Sequence, residues 1–269
     1  MLLKSQSLAG RSLLCALLLL SPASAGRAVP QKTSKALPLE RDHVFVWVSP
    51  GAPEAAALRK LGLHTDGQVH KHVGQGTSSV VFLFENAYLE LIWVDEPETA
   101  RRKNEEMGTN MIARSDWRRT GASPFGVGLR RLPGAGDLPF PTKKYWAEWM
   151  KPDTFISIAE SSAELKEPFY FVVPEYMAMP SGEQLRALLA AQPDFRKNLT
   201  HALGVRALTG VTIETDRAGR FSATAEALSE GGVVALRRGN THHAELTFDG
   251  GARGKTLDVR PTLPLVLKY

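Results

Sequence analysis

"HVGQGTSSVVFLFENAYLELIW", residues 72–93, decides how this chain reads. From Val80 onward it spells two strands with a tight break at Glu85-Asn86. The second strand sets a carboxylate, Glu90, among Leu89, Leu91 and Ile92. A carboxylate in an apolar strand is costly unless it is paired, hydrogen-bonded or bound to a metal. What Glu90 faces is therefore the first functional question. Strand alternation puts Tyr88, Glu90, Ile92 and Val94 on one face and Leu89, Leu91 and Trp93 on the other.

Upstream, "HVFVWV" (43–48) is β-branched and aromatic, hence a strand, with His43, Phe45 and Trp47 sharing a face. Residues 49–63 supply a helix: Pro53 suits its first position, Leu58 and Leu61 share a side, and Gly62 fits the C-terminal cap. "DGQVHKHV" (66–73) is a short strand. The order over 43–94 is β-α-β-β-β.

A similar order appears near the C-terminus. Leu208–Thr215 is a strand, and residues 220–232 form a short helix with Ser222 as N-cap and Gly231 at its end. Strands follow at 233–239, 243–248 and 255–261, the last two joined through Asp249-Gly250-Gly251. Superposing the two hairpins sets Glu90 on Asp258 and His43 on Gly210, a repeat of ~50 residues. Between them, 124–131, 154–160 and 168–176 are strand-like and read as a degenerate middle copy. Residues 179–193 form a helix with Ser181 and Gln184 spaced as a capping box. The Pro/Gly-rich stretch 132–146 reads as a long loop of the kind used as lids or binding segments.

The N-terminal 25 residues read as a cleaved secretory signal: Lys4 and Arg11 precede an apolar run of about Leu13 to Leu20, and Ala23-Ser24-Ala25 ends it. That run is too short to span a bilayer. Residues 26–40 read as a solvated leader and 41–269 as the folded domain. The one cysteine, Cys15, lies in the signal, so the mature chain excludes disulfides, thiolate metal sites and cysteine nucleophiles. Loss of Lys4 and Arg11 takes the formal charge from +5 to +3, which does not point to a nucleic-acid partner. The expected product is secreted or periplasmic, with no membrane attachment after cleavage and a small molecule as its partner.

Asp42-His43, the turn His72-x-Gly74-x-Gly76-Thr77 and Glu90 in "YLELI", with 124–131 and 138–145, resemble the glyoxalase-like branch of the vicinal-oxygen-chelate superfamily. The resemblance runs over roughly 42–175 and becomes an echo over 200–267. It implies an α+β fold of repeated β-α-β-β-β modules whose curved mixed sheets form a cup: module one at 42–95, an irregular middle module at 124–176 and a module-like unit at 200–267. It further implies a divalent metal in the cup, and lyase, isomerase or dioxygenase chemistry on a small oxygenated metabolite. His43 and Glu90 match the first-strand and last-strand ligands, with Glu90 also a candidate proton carrier. Ligands from a partner module would fall at Gly210 and Asp258, or near Phe125 or Gly126 and near Val172.

His72 is the candidate third ligand. Imidazole and carboxylate donors without thiolates suit Zn²⁺, Fe²⁺, Mn²⁺ or Ni²⁺. The other reading is a metal-free protein of the same fold that sequesters an apolar or aromatic ligand between Trp47 and Tyr88, with His43 and Glu90 as a hydrogen-bonded pair. Arg130-Arg131 and Lys143-Lys144 read mainly as solvated cations, and His242-His243 as neighbours pointing to opposite faces of a strand.

Overall fold

β1 (Leu39–Trp47) lies in the middle of a mixed eight-stranded sheet. The structure, a computed structural model, describes residues 37–269. The expected signal sequence (1–25) and most of the expected leader (26–40) lie outside the described residues. After β1 come α1 (Ala55–Lys60), β2 (His70–His72), β3 (Thr77–Leu83) and β4 (Tyr88–Val94). The helices α2 (Pro97–Met107), α3 (Met111–Ser115) and α4 (Trp117–Thr120) lead to β5 (Phe125–Arg131), β6 (Thr142–Tyr145), β7 (Ile156–Ala159) and β8 (Phe169–Val172). The strand order is β2-β3-β4-β1-β5-β8-β7-β6.

The two halves of this sheet obey one pairing rule. β1 runs parallel to β4, which pairs antiparallel with β3, and β3 with β2. β5 runs parallel to β8, which pairs antiparallel with β7, and β7 with β6. β1 and β5 join the halves antiparallel. The middle stretch, not the C-terminal one, therefore completes the sheet beside the first unit. β6 falls inside the segment that reads as a loop, because Lys143 and Lys144 hide a short strand whose one buried residue is Tyr145.

After α5 (Gly182–Ala191), the chain forms a second sheet from β9 (Leu208–Thr215), β10 (Ala235–Arg238), β11 (His243–Phe248), β12 (Thr256–Asp258) and β13 (Leu265–Lys268), with α6 (Ala223–Glu230) between β9 and β10. Its order, β10-β9-β11-β13-β12, corrects two expectations. The parallel partner of β9 is the strand directly after the helix, not the fourth strand, so this unit does not repeat the pairing of the first. β13, which follows a Pro-flanked turn and escapes the sequence reading, inserts between β11 and β12, so Asp249–Gly251 closes no hairpin. The expected cap of α6 is present, Ser222 accepting from the Ala225 N–H at 3.2 Å. Ser181 stands at the N-cap of α5 without a side-chain bond.

Alternation along the strands sorts residues between two apolar bodies. Val44, Val46, Leu89, Leu91, Val127 and Leu129 face the second sheet and pack with Val211, Ile213, Leu246 and Leu267 into the main core. Phe45, Trp47, Ile92, Ile158, Phe169 and Phe171 face the other way and line a cup. Leu39 also lies in the main core, although its parity in sequence is opposite to that of Val44. The register explains this: Arg41 pairs with Leu129 and His43 with Gly128, leaving Asp42 as an extra, bulged residue. No helix of the described residues is long and apolar enough to cross a membrane.

Candidate functional site

The eight-stranded sheet curls round a cavity of about 770 Å³. Most of its wall is apolar, with Phe45, Trp47 and Ile92 on one side and Ile156, Phe169 and Phe171 on the other. Its polar lining includes His43, His70, His72, Gln75, Ser79 and Glu90.

His43 enters the cup from β1. Its imidazole stacks on Tyr88 with centroids 4.2 Å apart and planes 14° from parallel, and meets the edge of Phe171 at 5.2 Å. Nδ1 lies 2.7 Å from Asp42 Oδ1. Nε2 lies 3.8 Å from Glu90 Oε2. Across the sheet stands Gly128, and a Cβ there would fall 2.3 Å from His43 Cε1, so the glycine is what lets the ring lie over β5.

His72 ends β2, and its Nε2 lies 3.8 Å from Glu90 Oε1. The turn that follows is tight: Gln75 N–H and Gly76 N–H both donate to the His72 carbonyl. Gly76 has φ +75°, and a Cβ there would come within 2.4 Å of the Ala100 nitrogen, so only glycine fits. Thr77, after the turn, places Oγ1 2.8 Å from His72 Nδ1. Gln75 donates to that hydroxyl at 2.8 Å and accepts from Tyr145 O–H at 2.8 Å and from Trp149 Nε1–H at 3.4 Å. The second half of the sheet thus grips the loop carrying His72. Burial pulls the His72 imidazole below its ordinary range, against the upward pull of the Glu90 carboxylate. Burial likewise raises the Tyr88 phenol well above its usual value, helped by Asp42 and Glu90.

The opening question now has an answer. Glu90, 8 % exposed, faces two imidazoles and the cavity, and it accepts no side-chain hydrogen bond from any described residue. Each carboxylate oxygen addresses a different histidine, at a separation too long for a hydrogen bond.

By donor chemistry the set fits a divalent cation: two imidazole nitrogens, one carboxylate, and outer nitrogens held by Asp42 and Thr77. Among the described residues, however, no group of three or more His, Cys, Asp or Glu is placed so that it could hold a metal ion.

The remaining positions separate clearly. Tyr88 and Trp47 line the cavity, with Trp47 only 1 % exposed. Gly210 and Asp258 belong to the second sheet, Asp258 on an exposed edge strand bonded to Arg260. Phe125 and Val172 are in the main core, and Gly126 leaves its place to the Phe45 ring. The second half thus contributes no ligand at the expected partner positions. Arg130 is no solvated cation: it is buried and donates to Glu40, at 2.7 Å, and to the Asn86 and Met179 carbonyls. His242 is bonded to the Gly121 carbonyl and paired with Asp216, outside the cup. Gln75, Tyr145 and Trp149 are site residues the sequence reading missed. The one available signal was a glutamine between two turn glycines.

No protein-family model and no curated protein sequence matches the chain. Among solved structures it is similar to a hypothetical protein from Staphylococcus aureus, at 11 % identity and TM-score 0.46 over 85 % of this chain and 97 % of that one. It is also similar to a triple mutant of 4-hydroxymandelate synthase from Streptomyces coelicolor, at 12 % identity and TM-score 0.36 over 79 % of this chain and 71 % of that one.

Proposed function

We propose that this chain is an exported protein of the vicinal-oxygen-chelate kind in which His43, His72 and Glu90 hold a divalent cation at the polar end of the cup. Zn²⁺, Fe²⁺, Mn²⁺ and Ni²⁺ suit the donor set. The single observation that carries this reading is the unengaged Glu90 carboxylate, 3.8 Å from each of two imidazole nitrogens. Its oxygens open onto the cavity with no protein donor, so a cation entering the cup would find them unpaired. The shared pairing rule of the two sheet halves supports the fold assignment.

The ligand is a small metabolite with oxygens at one end and an apolar body. Phe45, Phe169, Phe171 and Ile92 receive the body and exclude water, while the imidazoles orient the oxygenated end. Glu90 is placed to take up a proton from a ligand atom beside it, which suits lyase, isomerase or dioxygenase-type chemistry. A cation, when bound, would supply Lewis acidity at the ligand's oxygens.

A second reading, a metal-free pocket that sequesters an apolar ligand, is favoured by the open spacing of the three side chains. Elemental analysis and calorimetric titration with Zn²⁺, on the wild type and on Glu90→Gln and His43→Ala, separate the two. The enzyme reading expects stoichiometric binding that each substitution weakens at least about 10-fold. The pocket reading expects no stoichiometric metal and a Glu90→Gln protein at least as stable as the wild type.

A further inference from the structure

Asp42 is the bulged residue of β1 and has no exposed surface. Its carboxylate is fully engaged. Oδ1 lies 2.7 Å from His43 Nδ1, Oδ2 accepts the Met179 N–H at 2.7 Å, and the Arg130 guanidinium stands 3.6 Å from Oδ2. A carboxylate offers only acceptors, so the proton in the Asp42–His43 bond belongs to Nδ1. In the neutral ring, Nε2 then carries the lone pair, and Nε2 is the nitrogen that faces Glu90.

His72 is held differently. The orientation of Gln75 follows from Trp149, whose indole N–H can only donate, so the Gln75 amide group donates to Thr77 Oγ1. The Thr77 hydroxyl can still accept from His72 Nδ1 or donate to it. One imidazole is locked and the other is free to exchange tautomers.

We infer that Asp42 is the positioning residue of this site: through the β1 bulge it fixes His43 as the Nδ1–H tautomer, so that a lone pair, not a proton, points into the gap between His43 and Glu90. This rests on the reading above only for what occupies that gap. The geometry also predicts what an isosteric change would do. In Asp42→Asn, the Met179 N–H still requires an acceptor, and the Arg130 guanidinium 3.6 Å away disfavours an NH₂ on that side, so the amide oxygen turns to them. The amide NH₂ then faces His43 Nδ1 and drives the proton to Nε2.

Nitrogen-15 NMR of the histidine side chains, in metal-free protein and alkaline buffer, tests this. The expected result is a pyrrole-type Nδ1 and pyridine-type Nε2 for His43 in the wild type, exchanged in Asp42→Asn. Zn²⁺ affinity should fall by about 10–100-fold in the same variant. A Thr77→Val control should alter the His72 signals and leave the His43 tautomer unchanged. A purely structural Asp42 would lower the melting temperature without exchanging the tautomer. An Nε2–H ring in the wild type overturns the inference with no variant needed, as does an Asp42→Asn protein that keeps Nδ1–H. A tautomer exchange in a protein whose wild type binds no Zn²⁺ supports the inference and removes the metal reading instead.

Discussion

Gly128 lies directly opposite His43 in the β1–β5 pair, and its missing side chain is the space the imidazole occupies. Gly128→Ala should therefore force the ring to move, at an overpacking cost of about 1–3 kcal/mol. Denaturant melts measure that cost, and Zn²⁺ titration should show weakened binding. Unchanged affinity would mean the ring position is unimportant. Gly126→Ala, which crowds the Phe45 ring at 2.1 Å, is the matched control for the apolar wall.

Tyr145→Phe removes the hydrogen bond to Gln75 and leaves the buried amide oxygen only the longer Trp149 contact. The expected loss is about 1–3 kcal/mol, since a buried acceptor loses its better partner. Because Gln75 is linked through Thr77 to His72, the His72 ring signals in an NMR spectrum should shift as well. A stability loss with His72 unmoved would uncouple the two halves of the cup.

Arg114 has no exposed surface and donates to the carbonyls of Ser123, Ser162, Glu164 and Glu167, tying α3 to the loops before β5 and β8. Burial lowers its guanidinium to about 10, which still leaves it cationic at neutral pH. Arg114→Met strands several buried carbonyls and should cost at least about 3 kcal/mol. Chemical denaturation provides the check, and a loss under about 1 kcal/mol would contradict the assignment.

His201 accepts the His64 N–H at Nδ1 and donates to the Leu83 carbonyl from Nε2, and burial holds its imidazole below the ordinary histidine range. The unfolded ring protonates first as the pH falls. Its contribution is therefore complete above about 6.5 and is lost as the pH drops from there through the lower folded value. His242 shifts in the same direction, with burial again the largest cause. Melts across pH 8 to 5 should show falling stability, with a shallower slope in His201→Gln. An equal slope in the variant would exclude His201 as a source.

Export is tested at the N-terminus. Expression in a secreting host should give a mature chain beginning at Gly26, cut after Ala25, as read by N-terminal sequencing. Retention of Met1 would reject the signal peptide.

The strands and the shared face of His43 and Glu90 were legible because they depend on local rules. The alternation in Tyr88–Val94 predicted which face carries Glu90, and "HVFVWV" placed His43 on the matching face. What failed was long-range pairing. Nothing local in 255–261 says that its neighbour is β13 instead of β11, and the Asp-Gly-Gly turn suits a hairpin that the sheet does not make. Tyr145 and Gln75 were invisible for the same reason: their bond joins residues 70 positions apart, across two sheet halves. Arg130 reads as a surface cation from its doublet, yet acceptors from three separate segments hold it inside.

The extra residue in β1 also acts as a phase setter. Leu39 and Val44 both reach the main core only because Asp42 lets the alternation skip a beat between them. A β1 that kept its length but lost the bulge would have two ways to pair, and both invert one end of the strand. Either Leu39 turns into the cup, or His43 and Phe45 turn into the core while Val44 and Val46 line the cavity. Deleting Asp42 instead would restore plain alternation with both faces unchanged, removing the bulge and its carboxylate alone, a change no point substitution at His43 can mimic.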